Sequence, residues 1–342
     1  MGHVFHGFEF FSKICQHNNK HFPYFIRMSS KHEENDLMAK FMAGDSSICT
    51  SFNKAKMEDR KELLLQETIK LRDKGTVPIF GLGTWLSTKN AAKGAVIHSL
   101  KIGYRLIDTA QLYENEDEVG DAIEESGKKR TDIFVVTKLD VSNHGAQACR
   151  KALKDSLNRL KLKYVDLFLI HSPKGGKIIE TWKMMLELKR EGLTRSVGVS
   201  NFGVEHLENI RKLNLELPAV NQIEFHVFLQ QRRPREYMKK HGIAVMGYCP
   251  LARCKMFGKS VTLSKIAKKL NKSEAQICIR WSIQEGVITI PKSTNSSRIE
   301  ENADVFTWSL GPSDMLELSK LDCGFKASNS VNSMDLPWDK IC

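Results

Sequence analysis

No C-x-x-C pair occurs among the eight cysteines, at positions 15, 49, 149, 249, 254, 278, 323 and 342, and no histidine stands beside them at zinc-ligand spacing. A zinc ribbon and a dithiol redox motif are thereby excluded, and no metal is expected. Several cysteines sit in apolar runs, where a free thiol packs as a small hydrophobe. Reduced thiols are the simplest arrangement and predict a cytoplasmic protein. No run approaches the roughly 18 apolar residues needed to cross a bilayer, so no membrane partner is expected. The net charge is +12, yet no basic stripe interleaved with aromatics appears, and no nucleic-acid partner is expected. The cations lie beside acids instead, as in Leu188-Lys189-Arg190-Glu191, the pattern of a solvated surface. No G-x-G-x-x-G occurs between a strand and a helix. The nearest stretch, Gly81-Leu82-Gly83-Thr84, lacks the third glycine and has no helix directly after it. That disfavours a doubly wound sheet, so a bound dinucleotide would be held in some other way.

What is present is 342 residues, 41% of them hydrophobic, enough for one barrel-sized core or two medium domains. Residues 1–66 stand apart. They are rich in His, Phe, Ser, Asn and Met, with no sustained period and no continuous apolar core of a secretory signal. Glu33, Glu34 and Asp36 oppose a long transit peptide, and the opening Met-Gly-His-Val-Phe-His lacks the Ser or Thr of a myristoylation signal. These residues read as an N-terminal extension without stable structure, with Met28 and Met57 as alternative starts.

From about residue 68 short β-branched runs alternate with amphipathic stretches. The predicted strands are Ile79–Gly83, Arg105–Thr109, Ile133–Lys138, Val165–His171, Ser196–Ser200, Ala219–Ile223, Ala244–Tyr248 and Val287–Ile290. They are apolar throughout rather than alternating, as parallel strands covered on both faces must be. Helical segments such as Ala146–Leu160 and Thr181–Glu191 lie between them, and Gly192 stands where a helix should end. Eight strands each followed by a helix predict a single-domain α/β fold, a (β/α)8 TIM barrel over residues 67–322, with a C-terminal tail over 323–342. The chain is expected to be a monomer.

In such a barrel the chemistry stands at the C-terminal strand ends. Asp108 closes the second predicted strand, Lys138 the third and His171 the fourth, while Tyr113 follows the second by a few residues. Each alone reads more readily as a cap, a surface charge or a structural histidine. A carboxylate, an ammonium, an imidazole and a phenol converging on one mouth read as a catalytic set. Hydride arrival at a carbonyl leaves charge on oxygen, which calls for a proton or a positive partner. A phenol is a poor acid at neutral pH. Lys138 is expected to favour its ionised form and so make Tyr113 a better acid, with Asp108 holding Lys138 in place. A Schiff-base lyase using Lys138 as nucleophile is a competing reading.

Several further motifs run in the same order along the chain. They are Gly83-Thr84-Trp85, Asp108-Thr109-Ala110-Gln111-Leu112-Tyr113-Glu114-Asn115-Glu116, Val135-Val136-Thr137-Lys138, Leu169-Ile170-His171-Ser172-Pro173, Gly198-Val199-Ser200-Asn201-Phe202 and Ile290-Pro291-Lys292-Ser293. Together they resemble the aldo-keto reductase family over residues 68 to 322. The resemblance implies an NADPH-dependent reductase of small-molecule aldehydes and ketones, with Asp108, Tyr113, Lys138 and His171 catalytic and Tyr113 the proton donor. It implies that Ser200, Asn201 and Gln222 hold the nicotinamide carboxamide and that Tyr248 stacks on the nicotinamide ring. It further implies that Gly83, Thr84, Trp85, Asp108, Pro250 and Leu251 line the cofactor path, and that Glu301 and Asn302 meet the adenine. Lys292, Ser293 and Arg298 offer two cations and a hydroxyl near a helix start, good chemistry for a 2′-phosphate, which favours NADPH over NADH. Trp85, Tyr113, His171 and Ser172 are the expected substrate contacts.

Four departures from the family pattern concern the pocket, the first being Ser172 where many relatives carry Trp after the catalytic His. The connection Pro173–Ile179 is short, the stretch Ala252–Ser260 is short, and the tail Gly324–Cys342 does not align with the family's specificity loop. An open pocket, a reduced clasp over the cofactor and modest selectivity are therefore expected. A cofactor-binding regulatory or structural subunit with little turnover is the alternative function.

Overall fold

The computed structural model describes Leu65 and residues 67–341. Apart from Leu65, the expected N-terminal extension lies outside them. A two-stranded antiparallel hairpin comes first, β1 (Thr68–Lys70) with β2 (Thr76–Pro78). Eight parallel neighbours follow in chain order: β3 (Leu82–Gly83), β4 (Leu106–Asp108), β5 (Phe134–Leu139), β6 (Val165–Ile170), β7 (Thr194–Ser200), β8 (Val220–Glu224), β9 (Ala244–Tyr248) and β10 (Ile288–Thr289). The ring closes where Phe80 bridges Thr289 and Gly83 bridges Lys292. Between the strands run α1 (Lys89–Lys101), α2 (Glu116–Glu125), α3 (Ala146–Leu160), α4 (Ile178–Arg190), α5 (Val204–Lys212), α6 (Arg232–Lys240) and the pair α7 (Val261–Leu270) and α8 (Glu274–Gln284). After β10 come α9 (Ser296–Ala303) and α10 (Pro312–Ser319). This is the expected (β/α)8 barrel, and each predicted strand run coincides with or contains most of an observed strand.

The strands read as unbroken apolar runs because both their faces are covered. Leu106, Val136, Leu167, Leu169 and Met246 fill the barrel interior, while Val135, Phe168, Ile170 and Val199 pack outward against the helices. Leu71 and Val77 of the hairpin region join the interior cluster and plug one end of the barrel. The hairpin escaped the sequence reading because two three-residue strands carry too little pattern to stand out. Gly81, considered above as part of a phosphate loop, has a packing role instead. A Cβ there would fall 2.7 Å from the Leu106 carbonyl oxygen, so only glycine lets the first barrel strand approach the second.

Parallel register brings the chemical side chains to one rim. Gly83 sits opposite Asp108, Lys138 opposite Leu169, Ser200 opposite Gln222, and Glu224 opposite Tyr248. All these pairs lie at or near the C-terminal ends of their strands.

Candidate active site

The rim encloses a cavity of about 350 Å³. Beneath it Lys138 is fully buried. Its ammonium donates to Asp108 Oδ1 at 2.7 Å, to the Thr109 carbonyl at 2.9 Å and to the Tyr113 hydroxyl at 3.1 Å. Three donors thus meet three acceptors, which is what a buried ammonium requires. Asp108 Oδ2 accepts from Gln222 Nε2 at 2.7 Å, tying the pair to β8. A second buried network supports the first. Asn115 accepts from Thr109 Oγ1 at 2.8 Å and donates to the Thr84 carbonyl at 3.0 Å, joining the loop that carries Trp85 to the end of β4. His171 stands edge-on to Tyr113, with ring centroids 5.6 Å apart.

Burial dominates the titration of this cluster. Desolvation drives the His171 imidazole down to about 3, helped by the Lys138 charge, so the ring is neutral at ordinary pH. Its Nδ1 is buried with no partner among the described residues. Desolvation also lowers the Lys138 ammonium, opposed by Asp108. The Tyr113 phenol is pushed well above its ordinary value, first by burial and then by the charges of Asp108, Tyr248 and Cys249. The phenol is therefore protonated at neutral pH, with the Lys138 ammonium 3.1 Å from its oxygen.

Next to this cluster lies a set of amides and hydroxyls. Ser200 Oγ donates to the Gln222 carbonyl at 2.9 Å, and Asn201 Nδ2 donates to Ser200 Oγ at 3.0 Å and to the His171 carbonyl at 3.2 Å. The Tyr248 hydroxyl donates to Asn201 Oδ1 at 2.7 Å, which fixes the ring as a cavity wall. Asn201 adopts a left-handed backbone, φ 60°, a conformation asparagine tolerates better than most residues.

Of the residues singled out from sequence, Gly83, Trp85, Asp108, Tyr113, His171, Ser200, Asn201, Gln222, Tyr248, Pro250, Leu251 and Lys292 all line the cavity. Lys138 and Thr84 lie just behind it, the Thr84 hydroxyl donating to the Asp108 carbonyl at 3.0 Å. Ser172 is not part of the lining; its hydroxyl accepts from Lys174 N at 3.4 Å and caps a short helical turn. Ser293, Arg298, Glu301 and Asn302 also lie outside the lining, on and before α9. Lys292 and Arg298 are exposed, and neither has an ion-pair partner among the described residues.

The lining also holds residues that the sequence reading did not single out, notably Leu86, Leu112, Cys249, Arg253, Ser328 and Ser330. Leu86 and Leu112 are 69% and 59% exposed, an apolar rim beside Tyr113. Adjacency to Trp85 and Tyr113 was their only available signal. Arg253 lies over the Trp85 ring, 4.4 Å from its centroid, so the two sides of the mouth meet. Its backbone belongs to a run of three non-glycine residues, Ala252, Arg253 and Cys254, with φ of 48°, 52° and 57°. Each left-handed residue costs about 1–2 kcal/mol. Short as it is, the segment after β9 places Arg253 against Trp85.

A model of the Aldo/keto reductase family matches residues 78–322. The chain belongs to the aldo/keto reductase family. A glyoxal reductase of Bacillus subtilis (strain 168) is 42% identical over 259 residues, covering 75% of this chain and 94% of that protein. An aldo/keto reductase from Brucella melitensis, known as a crystal structure, is 44% identical with a TM-score of 0.73, covering 75% of this chain and 99% of the other. The aldo-keto reductase of Bombyx mori, solved in complex with NADP, is 33% identical with a TM-score of 0.74, covering 79% and 97%. The matched segment of this family member contains all four barrel-rim groups, Asp108, Tyr113, Lys138 and His171.

Proposed function

We propose that this chain reduces small aldehydes and ketones to alcohols with NADPH, and that Tyr113 delivers the proton. The carrying observation is the hydrogen-bonded chain Asp108–Lys138–Tyr113, which ends beside His171 in a cavity that also presents the amides of Asn201 and Gln222. Those amides, with the Ser200 hydroxyl, suit a carboxamide that must both donate and accept. The flat wall of Tyr248 suits a heterocycle. The cations Lys292 and Arg298, without ion-pair partners among the described residues, suit a phosphate beyond the ribose. NADPH, when bound, supplies the hydride.

The chain's own residues do the rest. Trp85, Leu86 and Leu112 exclude water around the carbonyl. The neutral His171 imidazole and the protonated Tyr113 phenol both offer donors to the carbonyl oxygen and orient it. As negative charge gathers on that oxygen, Tyr113 gives up its proton. The phenolate that would remain lies 3.1 Å from the Lys138 ammonium, and a buried charge–charge contact is strong where water is absent. Lys138 therefore acts on the transition state rather than on the resting phenol. A catalytically silent cofactor carrier would have no use for this contact. A Schiff-base role for Lys138 is opposed by its complete burial and its three hydrogen bonds.

The test is NADPH oxidation across a carbonyl panel that begins with glyoxal, the compound in the name of the B. subtilis relative. Turnover that disappears in Tyr113→Phe supports the reading. Absence of turnover with every carbonyl, or full turnover in Tyr113→Phe, would sink it.

A further inference from the structure

The Glu224 carboxylate is fully buried at the end of β8, yet neither the catalytic cluster nor the amide set uses it. Two of its partners come from the C-terminal segment and one from two residues along the chain. Oε1 accepts the backbone N–H of Ala327 and Oε2 that of Ser328, the latter at 2.9 Å, and His226 Nε2 lies 3.0 Å from Oε1. Two successive amides on one carboxylate make a charge-assisted clamp, stronger than neutral hydrogen bonds. The clamped segment leads directly to Ser328 and Ser330, which line the cavity, and the Ser328 hydroxyl reaches Tyr248. Further along, the tail is held again. The Leu336 carbonyl lies 2.6 Å from His206 Nε2, and the Ile341 carbonyl accepts from Ile178 N at 3.0 Å. Gly203 admits this path, since a Cβ there would collide with the Met334 carbonyl oxygen.

We propose that Glu224 is a positioning residue that sets carbonyl selectivity by fixing residues 327–330 as one wall of the substrate cavity. The proposal rests on the reductase reading of that cavity. Hydroxyls on this wall face a cavity whose other lining includes the apolar Trp85, Leu86 and Leu112. Held in place, the wall bounds the space left for the substituents of the carbonyl. Released, it widens that space without touching Tyr113, Lys138 or His171. Glu224→Gln keeps the shape but replaces one acceptor oxygen by an NH2 that must face a backbone N–H, so the clamp opens on one side.

The experiment has two parts on the full chain. First, hydrogen exchange of the Ala327 and Ser328 amides is followed in the unmutated protein and in Glu224→Gln. Strong protection is expected, falling at least tenfold in the variant. Free exchange in the unmutated protein overturns the clamp even if the variant does not fold, and this readout needs no turnover, so it is separate from any failure of the reductase reading. Second, kcat/KM is compared for a small aldehyde and a bulky aromatic one. Glu224→Gln is expected to raise the bulky-to-small ratio about tenfold through KM, with kcat for the small aldehyde little changed. An equal loss for both would show mere damage to the fold and would refute the proposal.

Discussion

At the scale of single residues, the site is governed by burial more than by charge. Asp108, Lys138 and His171 were legible from sequence because they fall at strand ends, where barrel geometry leaves little choice of direction, and Tyr113 because it follows such an end within a few residues. Their protonation was harder to read. Spacing places Lys138 near Tyr113, but it cannot reveal that desolvation and the neighbouring Asp108 raise the phenol well above its ordinary value. Tyr113→Phe should lower kcat/KM for carbonyl reduction by about 10³-fold, within the range for removal of a general acid, while the NADPH dissociation constant stays constant. A stopped-flow or steady-state series with fluorescence titration checks both halves. His171 carries a pH signature. Its folded value, about 3, lies below the ordinary 6.5, so the unfolded chain binds this proton more readily than the folded one. Stability is thus intact above 6.5 and declines as pH falls from 6.5 toward 3. In His171→Gln that part of the acid loss should vanish. Urea unfolding at pH 7 and pH 4 measures it, and an unchanged difference between the two pH values would contradict the assignment.

At the scale of elements, the barrel strands were legible because parallel strands with both faces covered are uniformly apolar. The hairpin and the tail were not. The hairpin is too short to show a period, and the wall formed by Ser328 and Ser330 depends on a carboxylate more than a hundred positions earlier in sequence. Separations of that kind leave no local pattern. Helix α9 carries a prediction of its own. Lys292 precedes it and Arg298 lies in its first turns, both without ion-pair partners among the described residues. Removing both, Lys292→Ala with Arg298→Ala, should weaken NADPH binding on the order of 10²-fold and NADH only a few-fold, the worth of one or two charged hydrogen bonds. Equal losses for the two cofactors, measured by fluorescence titration, would contradict a 2′-phosphate site there.

For the whole molecule, the ring closes through Phe80 with Thr289 and Gly83 with Lys292, and the described residues that line the cavity lie between Gly83 and Ser330. Among the described residues, the rim draws on the barrel and its tail. Deleting residues 1–57 should leave kcat, KM and NADPH affinity within about twofold of the full chain, a bound that matches the half-kcal/mol scale of changes away from a site. A larger change in kcat/KM would show that the first residues contribute to catalysis.

The contact of Arg253 with the Trp85 ring has an optical consequence. A guanidinium against the face of an indole perturbs its emission, and both partners belong to the cavity lining. Each opening of the mouth should therefore alter the light from one tryptophan. Fluorescence of the native chain minus that of Trp85→Phe would isolate this signal from the other four indoles, giving a label-free clock for ligand entry and departure.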